Sequence, residues 1–207
     1  MYVNRAAAGD LLATQLTAYA DHPDVVVLGL PRGGVPVAAR VATALRVPLD
    51  VLVVRKLGVP WAPEVAFGAL GPDGVTVHNP EVESRIPPRD ADAVAADAAD
   101  EVARRETLYR RGRQPLSLVG RIAIVVDDGI ATGATARAAI AVARGLGAAL
   151  VVLAVPVAAA DAIAMLRRDA DEVVCPYVPP AFGSVSRFYN AFPQVCDDEV
   201  IALVGAR

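Results

Sequence analysis

The run Ile122-Ala123-Ile124-Val125-Val126 carries no polar side chain, and it is followed at once by Asp127-Asp128, a Gly/Thr-rich turn and an alanine-rich helical pattern. A strand without polar/apolar alternation has to be covered on both faces, as in a parallel sheet between helical layers. The same texture recurs along the chain. Apolar strand-like runs at 25–30, 49–54, 150–155 and 172–177 are separated by helical patterns near 35–46, 133–145 and 158–167. Residues 4–19 add an amphipathic helix, with Asn4 as N-cap and Leu12, Leu16 and Tyr19 on one face. The expected fold is therefore α/β: an open, mostly parallel twisted sheet with helices on both faces.

The alternation stops over residues 59–120. There, 66–70 and 75–78 flank Gly71-Pro72-Asp73-Gly74, a hairpin signal. Residues 90–111 follow as a solvated helix, with Val94, Ala98, Val102 and Tyr109 on one face and Asp100–Arg104 and Glu101–Arg105 at ion-pair spacing. This hairpin-and-helix excursion reads as a small hood or flexible-loop insertion in a single domain over residues 1–207.

Composition excludes several classes. A net charge of −3 gives no basic face for nucleic acid. Cys175 and Cys196 match no metal spacing and imply no disulfide framework. The first residues lack the apolar core of a signal peptide. The longest apolar stretch, 149–166, is broken by Pro156 and Asp161 and is too short to span a bilayer. The expectation is a cytoplasmic protein with no nucleic-acid or membrane partner. Lys56 is the sole lysine among 20 basic residues, and it follows Arg55 at the end of an apolar run.

Ligands of open parallel sheets bind outside the carboxyl ends of the strands, and those ends are rich in chemistry here. The first run leads into Arg32-Gly33-Gly34, the second into Arg55-Lys56, and the third into Asp127-Asp128 and the turn Gly129–Thr135. Adjacent carboxylates repel one another unless hydroxyls or a cation use them. A helix opening at Thr132, Gly133, Ala134 and Thr135 offers free N–H groups and a positive dipole end to a phosphate. Together they describe a sugar-phosphate site. A Walker A loop needs Lys where Ala134 stands, and the spacing of Gly129 and Gly133 does not give the dinucleotide fingerprint.

The segment Asp127–Thr135 resembles the motif that binds phosphoribosyl pyrophosphate (PRPP) in type I phosphoribosyltransferases. Arg32-Gly33-Gly34 resembles the pyrophosphate loop of these enzymes, and Arg55-Lys56 their Arg-Lys pair on the same group. With the stretches Asn4–Gly9, Pro63–Gly68 and Phe188–Asp198, the likeness extends to a large, poorly characterised bacterial branch of the family. The resemblance implies transfer of 5-phosphoribosyl from PRPP to a nitrogenous base, releasing pyrophosphate, with Mg²⁺ as cofactor and room for a homodimer. Asp127 and Asp128 would hold ribose hydroxyls or the metal. Gly129, Ala131, Thr132, Gly133, Ala134 and Thr135 would form the 5′-phosphate turn, and Arg32, Gly33, Gly34, Arg55 and Lys56 would hold the pyrophosphate. Ala131 stands where 6-oxopurine enzymes carry an acid, which disfavours hypoxanthine or guanine without establishing adenine. Glu64 is then the candidate proton acceptor, with a loop salt bridge as its ordinary alternative. Tyr177 is the candidate base contact, in an aromatic cluster with Phe182, Phe188 and Tyr189 that equally suits a small core. A PRPP-binding regulator without turnover is the rival function, and a phosphohydrolase using Asp127 ranks behind it.

Overall fold

The computed structural model describes residues 1–112 and 114–205, with Glu64 described by its backbone alone. Five strands form the main sheet: β1 (Val25–Gly29), β2 (Leu49–Val51), β6 (Ile122–Val126), β7 (Leu150–Ala154) and β8 (Glu172–Val174). They lie in the order β2-β1-β6-β7-β8, and every pairing is parallel. From β1 the chain first steps outward to β2, then returns to place β6 on the other side of β1. The direction of winding therefore reverses between β1 and β6, the place where an open α/β sheet leaves a crevice at its carboxyl edge.

Register explains why these strands read as continuous apolar runs. Val26, Ala123 and Val151 form one cross-strand row, and Leu28, Val125 and Leu153 another. Both rows face a core completed by α5 (Ala134–Gly145) and α6 (Ala160–Leu166). Val25, Val27, Ile124, Val126, Val152 and Ala154 point the other way, onto α1 (Arg5–Thr14) and α2 (Gly34–Leu45). The expected helix over 4–19 ends at Thr14 and continues as a short 3₁₀ turn, Thr17–Tyr19. Asn4 caps it as expected, its side chain accepting from Ala7 N at 2.9 Å.

The excursion begins earlier than residue 59. Strand β3 (Arg55–Val59) pairs antiparallel with β4 (Ala62–Leu70), which pairs in turn with β5 (Thr76–His78). The run 49–54 is thus not one strand, and Arg55 and Lys56 do not end a strand of the parallel sheet. Leu52 is buried in the core under α5 and Val53 in a second core, so the chain crosses between two cores and stays apolar without staying paired. Apolarity reports burial, and the crossing is buried.

That second core sits between the three-stranded sheet, α4 (Pro88–Arg110) and α7 (Asp197–Gly205), with the short helix α3 (Pro80–Glu83) beside β4. The helix read as solvated buries Ala91, Ala98, Val102 and Tyr109. Glu101 pairs with Arg105 as its spacing suggested, whereas Arg104 turns to Glu101 instead of Asp100. The last turn of α4 also carries Arg110 into the interior, 3.2 and 3.3 Å from the Asp50 carboxylate and 2.6 Å from the Gln114 carbonyl.

Glu106 lies one turn before Arg110, and its Oε1 is buried without a hydrogen-bond partner. Burial pushes its pKa from 4.5 up to about 7, against the pull of Arg110 and with the added repulsion of Asp50 and Asp73. The folded chain therefore holds a proton there that the unfolded chain releases above 4.5. Stability from this group is complete at low pH and is lost as pH rises from about 4.5 through 7. Glu106→Gln is expected to flatten that window and to gain on the order of 2 kcal/mol at neutral pH. Urea midpoints of the two proteins at pH 5 and pH 7.5 check this; parallel pH profiles would refute it.

Candidate functional site

The carboxyl ends of β1 and β6 lie side by side, and the turn after β1 folds back onto the end of β6. Leu30 N donates to Val126 O at 2.9 Å, and Gly34 N to Leu30 O at 3.0 Å. The peptide between Pro31 and Arg32 is cis. Gly33 has φ −62°, which any residue adopts, so the requirement for glycine there is one of space. A Cβ on Gly33 would overlap the Asp128 carboxylate. One on Gly34 would sit 2.5 Å from Val126 O and 2.8 Å from Asp127 Cα. The Arg32-Gly33-Gly34 turn is thus pressed directly against the two acids.

The acids differ in their surroundings. Asp127 Oδ1 accepts from the Asp128 backbone N–H at 2.8 Å. Asp128 Oδ2 accepts from Arg5 Nε at 2.8 Å, and the Asp128 carbonyl accepts from the Tyr189 hydroxyl at 2.5 Å. Burial pushes both carboxyls above the usual range. Repulsion by Asp128 adds to the rise at Asp127, while the Arg5 hydrogen bond opposes it at Asp128.

A cleft of about 540 Å³ opens over this junction, lined by Asp127, Asp128, Arg32 and Gly33 together with Arg5, Val185 and the segment Phe192–Val195. Arg32 reaches 3.9 Å from Asp197 at the start of α7, and Asp197 also accepts from the Tyr109 hydroxyl at 2.6 Å.

Beyond the acids, the turn from Gly129 leads into α5. Gly129 packs against Val157 and Val185, and Ile130 N donates to Val157 O at 3.0 Å. Gly133 caps the helix with φ +80°, a conformation that favours glycine. Ala131, Thr132 and Thr135 are exposed, and the first N–H groups of the helix have no acceptor within it.

The sequence-derived residues divide. Asp127, Asp128, Arg32 and Gly33 line the cleft, Gly34 lies under it, and Gly129–Thr135 follow on the same strand end. Arg55 and Lys56 open the hood strand β3 and are not part of the lining. Tyr177 is 44 % exposed and packs edge-on to Phe188 outside it, within the aromatic cluster expected there. The side chain of Glu64 falls outside the described residues, so its candidacy is neither placed nor displaced.

Arg5, Phe192, Gln194 and Asp197 fall in the stretches Asn4–Gly9 and Phe188–Asp198 that carry the likeness, but the sequence assigns them no site role. For Arg5 a signal existed. A cation in the first turn of a helix opposes the helix dipole, so a buried arginine there needs a carboxylate nearby. Phe192 and Gln194 lie in an irregular segment with no periodicity to mark them.

Two adjacent carboxylates do not make a metal cage, and the described residues contain no group of three or more His, Cys, Asp or Glu able to hold a metal ion. This donor set fits Mg²⁺, which keeps several waters and binds through one or two carboxylates together with substrate phosphates.

Acids, a glycine turn and an exposed helix start at the switch point of an α/β sheet are a donor set suited to a phosphate ester. Residues 3–190 match the family described as the phosphoribosyl transferase domain, and the chain belongs to that family. It is 53 % identical over 209 aligned residues to “Putative phosphoribosyl transferase Rv0571c” of Mycobacterium tuberculosis, and equally to the corresponding protein of a second strain. These alignments cover 99 % of the chain but 46 % of each relative, so the chain spans about half their length. The crystal structure of TT1426 from Thermus thermophilus is 42 % identical and superposes with a TM-score of 0.91 over 98 % of this chain and 97 % of that one.

Proposed function

We propose that the chain transfers the 5-phosphoribosyl group from PRPP to a nitrogenous base, acting as a single phosphoribosyltransferase domain in the cytoplasm. The observation that carries this reading is the seating of the Arg32-Gly33-Gly34 turn on the Asp127-Asp128 pair, with the start of α5 following on the same strand end. A donor with pyrophosphate at one end and ribose 5-phosphate at the other meets, in order, a cationic turn, two carboxylates and a ring of free N–H groups.

In the reaction the bond from the anomeric carbon to pyrophosphate breaks and a bond to the base nitrogen forms, while the nitrogen's proton leaves. Positive charge grows on the sugar and negative charge on the leaving group, so placed charge carries the catalysis. Asp127 and Asp128 hold the ribose hydroxyls. Gly129, Ala131 and Thr132–Thr135 bind the 5′-phosphate, and Arg32, Gly33 and Gly34 gather the pyrophosphate. Arg55 and Lys56, on the hood strand β3 outside the cleft lining, are the further cations assigned to it. Asp127 or Asp128, together with substrate oxygens, would hold Mg²⁺, which when bound would neutralise charge at the leaving group. Glu64 on β4 accepts the proton, and Tyr177 contacts the base. Among the described residues no helix is long and apolar enough to cross a membrane.

Pyrophosphate release from PRPP and Mg²⁺, followed across a panel of purine, pyrimidine and other nitrogen bases, tests the proposal. Turnover with at least one base is expected, with 6-oxopurines poor acceptors because Ala131 offers no carboxylate. Tight PRPP binding with no turnover on any base would instead mark a regulator that has lost the chemistry.

A further inference from the structure

Arg5 opens α1, far in sequence from the acids, yet it is 9 % exposed and sits in the cleft wall. Its Nε donates to Asp128 Oδ2 at 2.8 Å, another guanidinium nitrogen donates to Pro193 O at 2.7 Å, and its central carbon lies 3.7 Å from the centre of the Phe192 ring. Phe192 packs on Tyr189 at 4.9 Å between ring centres, and Tyr189 bonds the Asp128 carbonyl. Asp128 is therefore held through both side chain and backbone by one assembly, built from Arg5 of the N-terminal helix, Tyr189, and Phe192 and Pro193 just beyond the residues matched by the family. A guanidinium this deep is tolerated only beside a carboxylate. The oxygen it holds is the one facing Gly33, so the position of Arg5 sets the gap between the acid and the glycine turn.

We infer that Arg5, clamped by Phe192 and the Pro193 carbonyl, is a positioning residue for PRPP binding: it fixes Asp128 against the Arg32-Gly33 turn and leaves the neighbouring Asp127 to the ligand. The inference rests on the functional reading above. Its consequence is that the C-terminal segment after residue 190 takes part in donor binding through Arg5 and Tyr189, on which it packs.

Calorimetric binding of PRPP with and without Mg²⁺ tests it in the wild-type chain, Arg5→Met, Arg5→Lys, Asp128→Asn and the double variant Arg5→Met/Asp128→Asn. Arg5→Met is expected to weaken PRPP by about tenfold or more, the size of one lost charge-assisted hydrogen bond. The double variant is expected to bind no more weakly than Asp128→Asn alone, since Arg5 acts through that carboxylate. Arg5→Lys keeps the charge but not the fork, and is expected to recover part of the loss. Should Arg5→Met fail to fold, Arg5→Lys takes its place in the cycle with the same non-additivity expected. Binding by Arg5→Met within twofold of wild type, or losses that multiply in the double variant, would overturn the inference. A wild-type chain that does not bind PRPP at all would instead bring down the functional reading, and the inference with it.

Discussion

The double variant Asp127→Asn/Asp128→Asn is expected to lose PRPP-dependent pyrophosphate release by at least about a thousandfold, the scale of removing preorganised charge from a reacting centre. The single variants separate binding from folding. Asp128→Asn strips the counter-charge from the buried Arg5 guanidinium and should cost stability on the order of 3 kcal/mol along with activity. Asp127→Asn removes a carboxyl that burial and its neighbour already hold out of its ordinary range, and its amide oxygen can still accept the Asp128 N–H. It should lose activity while raising the thermal midpoint, because relief of like-charge repulsion favours the unliganded fold. Opposite stability shifts in two equally inactive proteins would be hard to reach if the pair were merely structural. Full turnover in the double variant would remove the assignment.

The parts of the fold legible in the sequence are those where a single period or residue type decides the outcome. Rows such as Leu28–Val125–Leu153 lie between helical layers, so each strand had to be apolar on both faces, and that pattern needs no knowledge of partners. Gly71–Gly74 marked the hairpin for a similarly local reason. The run 49–54 misled because burial without pairing looks the same as burial with pairing; only the register, which stops at Val51, tells them apart. Helix α4 misled in the opposite direction. Its many charges hide a narrow buried face, and its inward Arg110 is invisible until Asp50 is known to lie opposite. The acids, the glycine turn and the start of α5 were legible because each follows a recognisable strand. The wall around Phe192 was legible only as part of the stretch Phe188–Asp198 in the likeness, without a role, because irregular backbone carries no period and its contacts with Arg5 span the length of the chain.

Gly33→Ala is expected to be the most damaging single-methyl change in the chain for PRPP binding. The backbone at Gly33 is in the right-handed helical region, so alanine meets no conformational strain and any effect arises from the new carbon alone. That carbon would overlap Asp128 Oδ2 and lie 2.8 Å from its Cγ, closer than real packing allows. Asp128 must then swing away, leave Arg5 and vacate the position that the ribose hydroxyls need. A weakening of PRPP binding by about a hundredfold is expected, two charge-assisted contacts being disturbed at once. The stability cost should be about 1–3 kcal/mol, as for other small-to-large changes in tight sites. Gly34→Ala is the informative comparison. Its added carbon meets Val126 O and Asp127 Cα, backbone atoms of the central strand that cannot turn aside, so it should cost more stability for the same added volume. Titration of PRPP into both variants, alongside their urea midpoints, resolves the two effects. If Gly33→Ala binds PRPP within about threefold of wild type, well inside the range of a single weak contact, the glycine turn does not set the position of Asp128, and the pyrophosphate end of the proposed site has to be sought elsewhere along the cleft.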